Sequence, residues 1–155
     1  MKGRKPHVVH LSQQALDIFT ALHTCAVGSK FVLPSRYDAD RCMSNTTLNR
    51  VTQIVAERAK TAGVPLESFT VHDLRRTGST LLNEMGFNRD WIEKCLAHEE
   101  RRSSRSTYNK AEYAEQRRHM LQEWANMVDA WINEQTHVPR LMPENTVAST
   151  LSTMV

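Results

Sequence analysis

The chain of 155 residues is poor in the features that mark several common protein classes. It has five glycines, none in a G-x-G-x-x-G or P-loop arrangement, which excludes a backbone cradle for nucleotide phosphates. Its three cysteines, Cys25, Cys42 and Cys95, are odd in number, far apart and without a C-x-x-C pair. That spacing excludes a disulfide framework and a zinc ribbon, and reduced thiols are expected. His7, His10 and His23 lack acids or cysteines at ligand spacing, so no metal site is expected. No apolar run approaches the ~18 residues that span a bilayer, and no apolar signal core opens the sequence; no membrane association and a cytoplasmic location are expected. No internal repeat is present.

What the sequence does have is charge, unevenly placed. Residues 1–118 hold 19 of the 20 Lys and Arg against 13 acids, a balance of +6, whereas residues 119–155 carry −3. A basic body suits a polyanionic partner, because phosphate contacts dominate nucleic-acid affinity. With 40% hydrophobic side chains, the length allows one domain with a core. We expect that domain over residues 1–135. After Gln135 the helical pattern dissolves into Pro, Ser and Thr, so residues 136–155 are expected to form a disordered tail.

The periodicity predicts a mainly helical fold with a small sheet. Pro6 to Leu11, with Val8 and Val9, reads as a short strand. Ser12 then caps a helix through about Val27, and Asn45 or Thr46 caps a second that stops near Gly63. A third starts after Val71 and ends at Gly86, and a fourth runs from an Asn88 cap to about Ala97. A long last helix is expected from about Ser106 through Asn133. Its stripe of Met120, Leu121, Trp124, Met127, Val128, Trp131 and Ile132 demands burial, either in the chain's own core or against a second copy.

The chemistry concentrates between Val71 and Tyr113. His72 and Arg75, three apart on a helical segment, share one face of its first turn and can reach one phosphate together. His98 follows the fourth helix, and Tyr108 stands beyond a loop rich in Arg and Ser. A phenol can act as a covalent nucleophile, a guanidinium forks onto two phosphate oxygens, and an imidazole passes protons or donates to an oxyanion. Together they suffice to attack a phosphodiester without a metal, since phosphoryl transfer needs mostly positioning and charge stabilisation. Another reading takes the two helices joined around Gly86-Phe-Asn88 as a helix-turn-helix, making the chain a noncatalytic DNA-binding or regulatory module.

The segments His72-Asp-Leu-Arg75-Arg-Thr, Cys95-Leu-Ala-His98 and Thr107-Tyr108-Asn109 followed by Ala111-Glu-Tyr113 resemble the C-terminal catalytic domain of the tyrosine recombinases, most of all the integrases of prophages and genomic islands. The resemblance runs from about Met1 to Ile132 and implies a partial tyrosine recombinase catalytic-domain fold. It implies site-specific DNA recombination, with strand cleavage and rejoining through a 3′-phosphotyrosine and no cofactor. In that scheme Tyr108 is the nucleophile, Arg75 the second of two phosphate-binding arginines, His72 a proton-transfer residue and His98 a donor to the phosphate. Lys2, in what looks like a β-hairpin turn, would be the catalytic lysine. Tyr113 is a second candidate nucleophile, but Tyr108 fits the interval from His98 better. Arg76, Arg101, Arg102 and Arg105 are the expected contacts to the DNA backbone. Ala97 stands where the family commonly has glycine. The family's first catalytic arginine should lie upstream of Lys2, and none precedes it here, so low turnover by this chain is expected. The implied partners are a double-stranded attachment site and further copies, docked through the C-terminal helix.

Overall fold

A computed structural model describes residues 7–97 and 112–142. Among the described residues five helices follow one another: α1 Gln13–Cys25, α2 Asn45–Thr61, α3 Val71–Glu84, α4 Arg89–Cys95 and α5 Ala114–Ile132. They fall into two compact units, one of residues 15–81 and one of residues 1–14 with 82–155. The unit boundary lies within α1 and within α3.

The expected sheet does not form among the described residues. Residues 7–11 are irregular, and a lone segment with no partner edge gains no ladder of hydrogen bonds. Pairing is reduced to one antiparallel bridge, Pro34 with Cys42, closed by Ser35 N–H to the Arg41 carbonyl at 2.7 Å and Met43 N–H to the Leu33 carbonyl at 2.8 Å.

In the unit of residues 15–81, α2 is capped by Ser44, one residue ahead of the expected Asn45 or Thr46. The Ser44 hydroxyl accepts from the Thr46 N–H at 3.2 Å. A serine oxygen before the first turn satisfies a donor that the helix cannot. At the other end Gly63 takes φ +72°, while Gly63 N–H reaches the Lys60 carbonyl and Val64 N–H that of Ala59. This paired closure is the usual way a glycine stops a helix. Buried side chains are few here: Ala26, Thr52 and Ala56.

The other unit holds the main core. Leu82, Phe87, Trp91, Ile92, Met120 and Met127 are buried together, with Met85, Cys95, Leu96, Tyr113, Trp124 and Met142 packed on them. The turn between α3 and α4 is built for this. Gly86 at φ +86° lets Phe87 N–H bond the Leu82 carbonyl at 3.1 Å, so the aromatic ring turns inward beside Leu82. Asn88 then caps α4, its side chain accepting from Asp90 N–H at 2.8 Å.

Of the last helix expected from about Ser106, residues 106–111 lie outside the described residues. Its described part starts at Ala114, because Tyr113 is in the left-handed region at φ 49° and no helix continues through such a residue. The apolar stripe packs within the chain: Met120 and Met127 are sealed, and Trp124 is half-buried. Trp131, on the same stripe, is 48% exposed; it meets Trp124 edge-on at 5.8 Å between centroids. Beyond α5 the chain is held back onto it. Buried Glu123 accepts from the Arg140 N–H at 2.9 Å and lies 2.9 Å from His137 Nε2, while His119 Nε2 pairs with the Arg140 carbonyl.

Candidate active site

The structure describes the first half of the proposed site. His72, Arg75 and Arg76 lie in the opening turns of α3, all exposed. A rise of about 1.5 Å and a turn of about 100° per residue put His72 and Arg75 on the same side, one turn apart. The helix starts where it does because Thr70 and Asp73 cap one another. Thr70 N–H donates to Asp73 Oδ2 at 2.9 Å, its hydroxyl reaches the same oxygen at 2.8 Å, and Asp73 N–H approaches Thr70 Oγ1 at 3.3 Å. This reciprocal box fixes the turn that carries His72. Hydrogen bonds from the Thr70 hydroxyl and N–H hold the Asp73 carboxyl below its ordinary value, with smaller contributions from the charges of His72 and Arg76. The Thr70-x-x-Asp73 spacing was available in the sequence as a capping signal, and sequence reasoning passed over it in favour of His72.

The second half lies in the other unit, and much of it falls outside the described residues. Lys2, His98, Arg101, Arg102, Arg105 and Tyr108 are all in that position. What is described is the frame on either side of residues 98–111. On one side α4 buries Trp91 and Ile92 and ends at Cys95. Its last carbonyls are met by Leu96 and Ala97, and Ala97 takes φ 50° with its N–H on the Lys94 carbonyl at 3.2 Å. A left-handed residue is therefore needed immediately before His98, which gives a physical reason for a glycine at this position. Ala97 meets the need with a Cβ that the conformation disfavours.

On the other side, Lys94 Nζ reaches Glu112 Oε1 at 3.4 Å, joining the end of α4 to the residue that leads into α5. Tyr113, the alternative nucleophile, packs half-buried on the core cluster. Burial pushes the Cys95 thiol up, against the opposing pull of the Arg117 charge. All three cysteines are free thiols. Among the described residues no helix is long and apolar enough to cross a membrane.

Comparison with known proteins places this frame. Residues 1–115 match the Phage integrase family, and the chain belongs to that family. It is similar to the prophage integrase IntA of Escherichia coli (strain K12), at 39% identity over 130 residues, which is 84% of this chain and 30% of that protein. The prophage integrase IntZ of the same organism is 37% identical over 131 residues, again 84% of the chain and 30% of the relative. The integrase of Shigella phage Sf6 is 34% identical over 130 residues, covering 83% of the chain and 32% of the relative. The chain thus spans about a third of the length of these relatives. No solved structure matches it.

Proposed function

We propose that the chain carries the catalytic portion of a site-specific DNA recombinase, cutting and rejoining strands through a phosphotyrosine. The observation that carries the reading is the span of the family match: Lys2, His72, Arg75, His98 and Tyr108 all fall within residues 1–115. The Tyr108 oxygen attacks the scissile phosphorus, and its proton passes to His72. The new P–O bond forms as the bond to the 5′-oxygen breaks, and Lys2 gives that oxygen a proton. Arg75 and His98 donate to the non-bridging oxygens as charge builds on them. Attack by the 5′-hydroxyl of another strand reverses these steps and releases the tyrosine. Arg76, Arg101, Arg102 and Arg105 hold the duplex by its phosphates.

Two features support this assignment over its alternatives. The packing of Tyr113 on the core favours Tyr108 as the nucleophile. The helix-turn-helix reading is disfavoured because α4, which would have to be the recognition helix, has seven residues and buries Trp91 and Ile92. Self-association on DNA through the C-terminal helix would use the end of α5, where Ile132 is 72% exposed beside Trp131.

A nicked duplex bearing the attachment site, which loses its short 5′-hydroxyl fragment after cleavage, traps the intermediate. A covalent protein–DNA adduct on a denaturing gel, absent from Tyr108→Phe, is the expected result. Reversible binding with no adduct would leave the noncatalytic module as the better account.

A further inference from the structure

Three polar side chains of α5 form a path between two segments that lie far apart in the sequence. Asn126 stands four residues after Gln122 and three after Glu123, the spacings at which helical neighbours touch. At one end, Gln122 Oε1 accepts from Gln13 N–H at 2.9 Å, and Gln14 Nε2 donates to Asn126 Oδ1 at 3.0 Å. Residues 13 and 14 belong to the same compact unit as α5. Gln122 Nε2 donates both to Gln14 Oε1 at 2.8 Å and to Asn126 Oδ1 at 2.9 Å. Asn126 Nδ2 then reaches toward Glu123 Oε1 at 3.5 Å. At the other end, Glu123 Oε2 accepts from the Arg140 N–H at 2.9 Å and lies 2.9 Å from His137 Nε2.

The path has a direction. The Gln122 and Asn126 amides accept on the side of residues 13 and 14 and donate toward Glu123, so their dipoles point at the carboxylate and reinforce one another. Asn126 Oδ1 takes two donors and Gln122 Nε2 gives both its hydrogens, so neither amide turns over without breaking bonds. Glu123 anchors the path, with one oxygen toward Asn126 and the other toward the segment after α5. Burial opposes its charge, yet the Arg140 and His137 hydrogen bonds, with the charges of His137 and His119, keep the carboxyl below its ordinary value.

The segment after α5 is a strap. A left-handed turn at Glu134, φ 55°, and the Gln135 N–H on the Ala130 carbonyl at 2.7 Å lead the chain out of the helix, and residues 135–142 have no regular structure of their own. Met142 packs on the core cluster, and Leu141 passes so close to Gly86 that a Cβ there would meet it at 3.5 Å. Without helix or ladder bonds, such a segment opens more readily than the core beneath it.

We propose that Glu123 is a latch that couples the two segments, holding the strap directly and the first turn of α1 through Asn126 and Gln122, so that drawing the strap off α5 also loosens residues 13 and 14. When His137 and the Arg140 N–H leave, a buried carboxylate loses the donors that offset its burial and turns to water. Asn126 then loses its acceptor, the two amides lose their fixed sense, and Gln13 N–H loses the oxygen it bonds. A macromolecule that captures residues 137–142 is thereby sensed at the start of α1.

Backbone amide exchange in the full chain reads both ends at single residues, with the Met127 amide as the measure of general opening of α5. Glu123→Gln is expected to quicken exchange by about fivefold or more at Gln13, which Glu123 does not touch, as well as at Arg140, and to leave Met127 unchanged. Because coupling is reciprocal, Gln122→Met should quicken Arg140 in turn. In an Asn126→Leu background, Glu123→Gln should no longer alter Gln13. An unchanged Gln13 in Glu123→Gln, an unchanged Arg140 in Gln122→Met, or a Gln13 effect that survives Asn126→Leu would overturn the inference. So would a Met127 amide that quickens by the same factor as Gln13. If Glu123→Gln does not fold, Arg140→Pro decides: it deletes the strap's donor and leaves α5 intact, and a Gln13 rate equal to the parent's overturns the inference.

Discussion

Thr70 and Asp73 close a reciprocal cap at the start of α3, each accepting from the backbone N–H of the other. The turn so fixed carries His72, with Arg75 on the following turn. Removing the threonine oxygen in Thr70→Ala should cost about 1 kcal/mol, the usual penalty for a lost N-cap. It should also let the Asp73 carboxyl rise toward its ordinary value. Because the folded-state pKa is depressed, its contribution to stability is complete above the unfolded carboxylate value and is lost as pH falls through the folded one. An NMR titration of Asp73 in both forms checks this; an unchanged midpoint in Thr70→Ala would mean that the cap is not what lowers it.

Ala97 offers a gain instead of a loss. A left-handed non-glycine residue costs about 1–2 kcal/mol, and glycine returns part of that as unfolded-chain entropy of about 0.5–1 kcal/mol. Ala97→Gly should therefore stabilise the chain by roughly 0.5–1 kcal/mol. Ala97→Val, with a branched Cβ, should destabilise it. Opposite shifts in denaturant midpoint are the measurement, and stabilisation by both substitutions would contradict the strained geometry at φ 50°.

Helix positions were largely legible because the stop signals are local. Gly63, Gly86 and Asn88 act through their own backbone angles or side-chain oxygens, and each ends or begins a helix where its type says it should. The failures have a common origin in pairings that sequence spacing does not carry. The Val8 segment reads as a strand by residue type, yet strand formation depends on a partner edge, and its carbonyl goes to Arg117. Tyr113 bounds the described part of the last helix through a left-handed angle that an aromatic residue does not advertise. Of the candidate site, the helical spacing of His72 and Arg75 was readable; the glycine preference at Ala97 came only with the family resemblance, and its reason became clear with the φ angle. Nothing in residue type or spacing pointed to the burial of Arg117, since its bond is to a segment more than a hundred residues away.

Glu123 and the residues after α5 form a pH-sensitive tie. Burial alone would raise the Glu123 carboxyl, but hydrogen bonds from the Arg140 N–H and His137, with the charges of His137 and His119, bring it below its ordinary value. The stabilisation is present above the unfolded carboxylate pKa and disappears as pH falls through the folded value. Glu123→Ala strands the Arg140 donor and should cost about 1–3 kcal/mol. Hydrogen exchange at the Arg140 amide is the direct readout: slow in the parent at neutral pH, fast in Glu123→Ala. Equal rates would mean that residues 137–142 are held by something other than this carboxylate.

The two ends of the α5 stripe should respond very differently to truncation, although the sequence ranks them alike. Met127 is 1% exposed and lies within the core cluster, so Met127→Ala removes buried atoms and leaves a cavity. The expected loss is about 2–5 kcal/mol. Trp131 is the larger residue, but nearly half its surface is open and its inner contact is the edge-on pair with Trp124. Trp131→Ala should cost the chain about 0.5–1.5 kcal/mol, the worth of an aromatic pair, with the rest of its surface free for a partner. Denaturant unfolding at low protein concentration checks the order of the two substitutions. If Trp131→Ala proved the more damaging, α5 would have to pack with its end inside, and the exposed surface that the proposal of self-association uses would be lost.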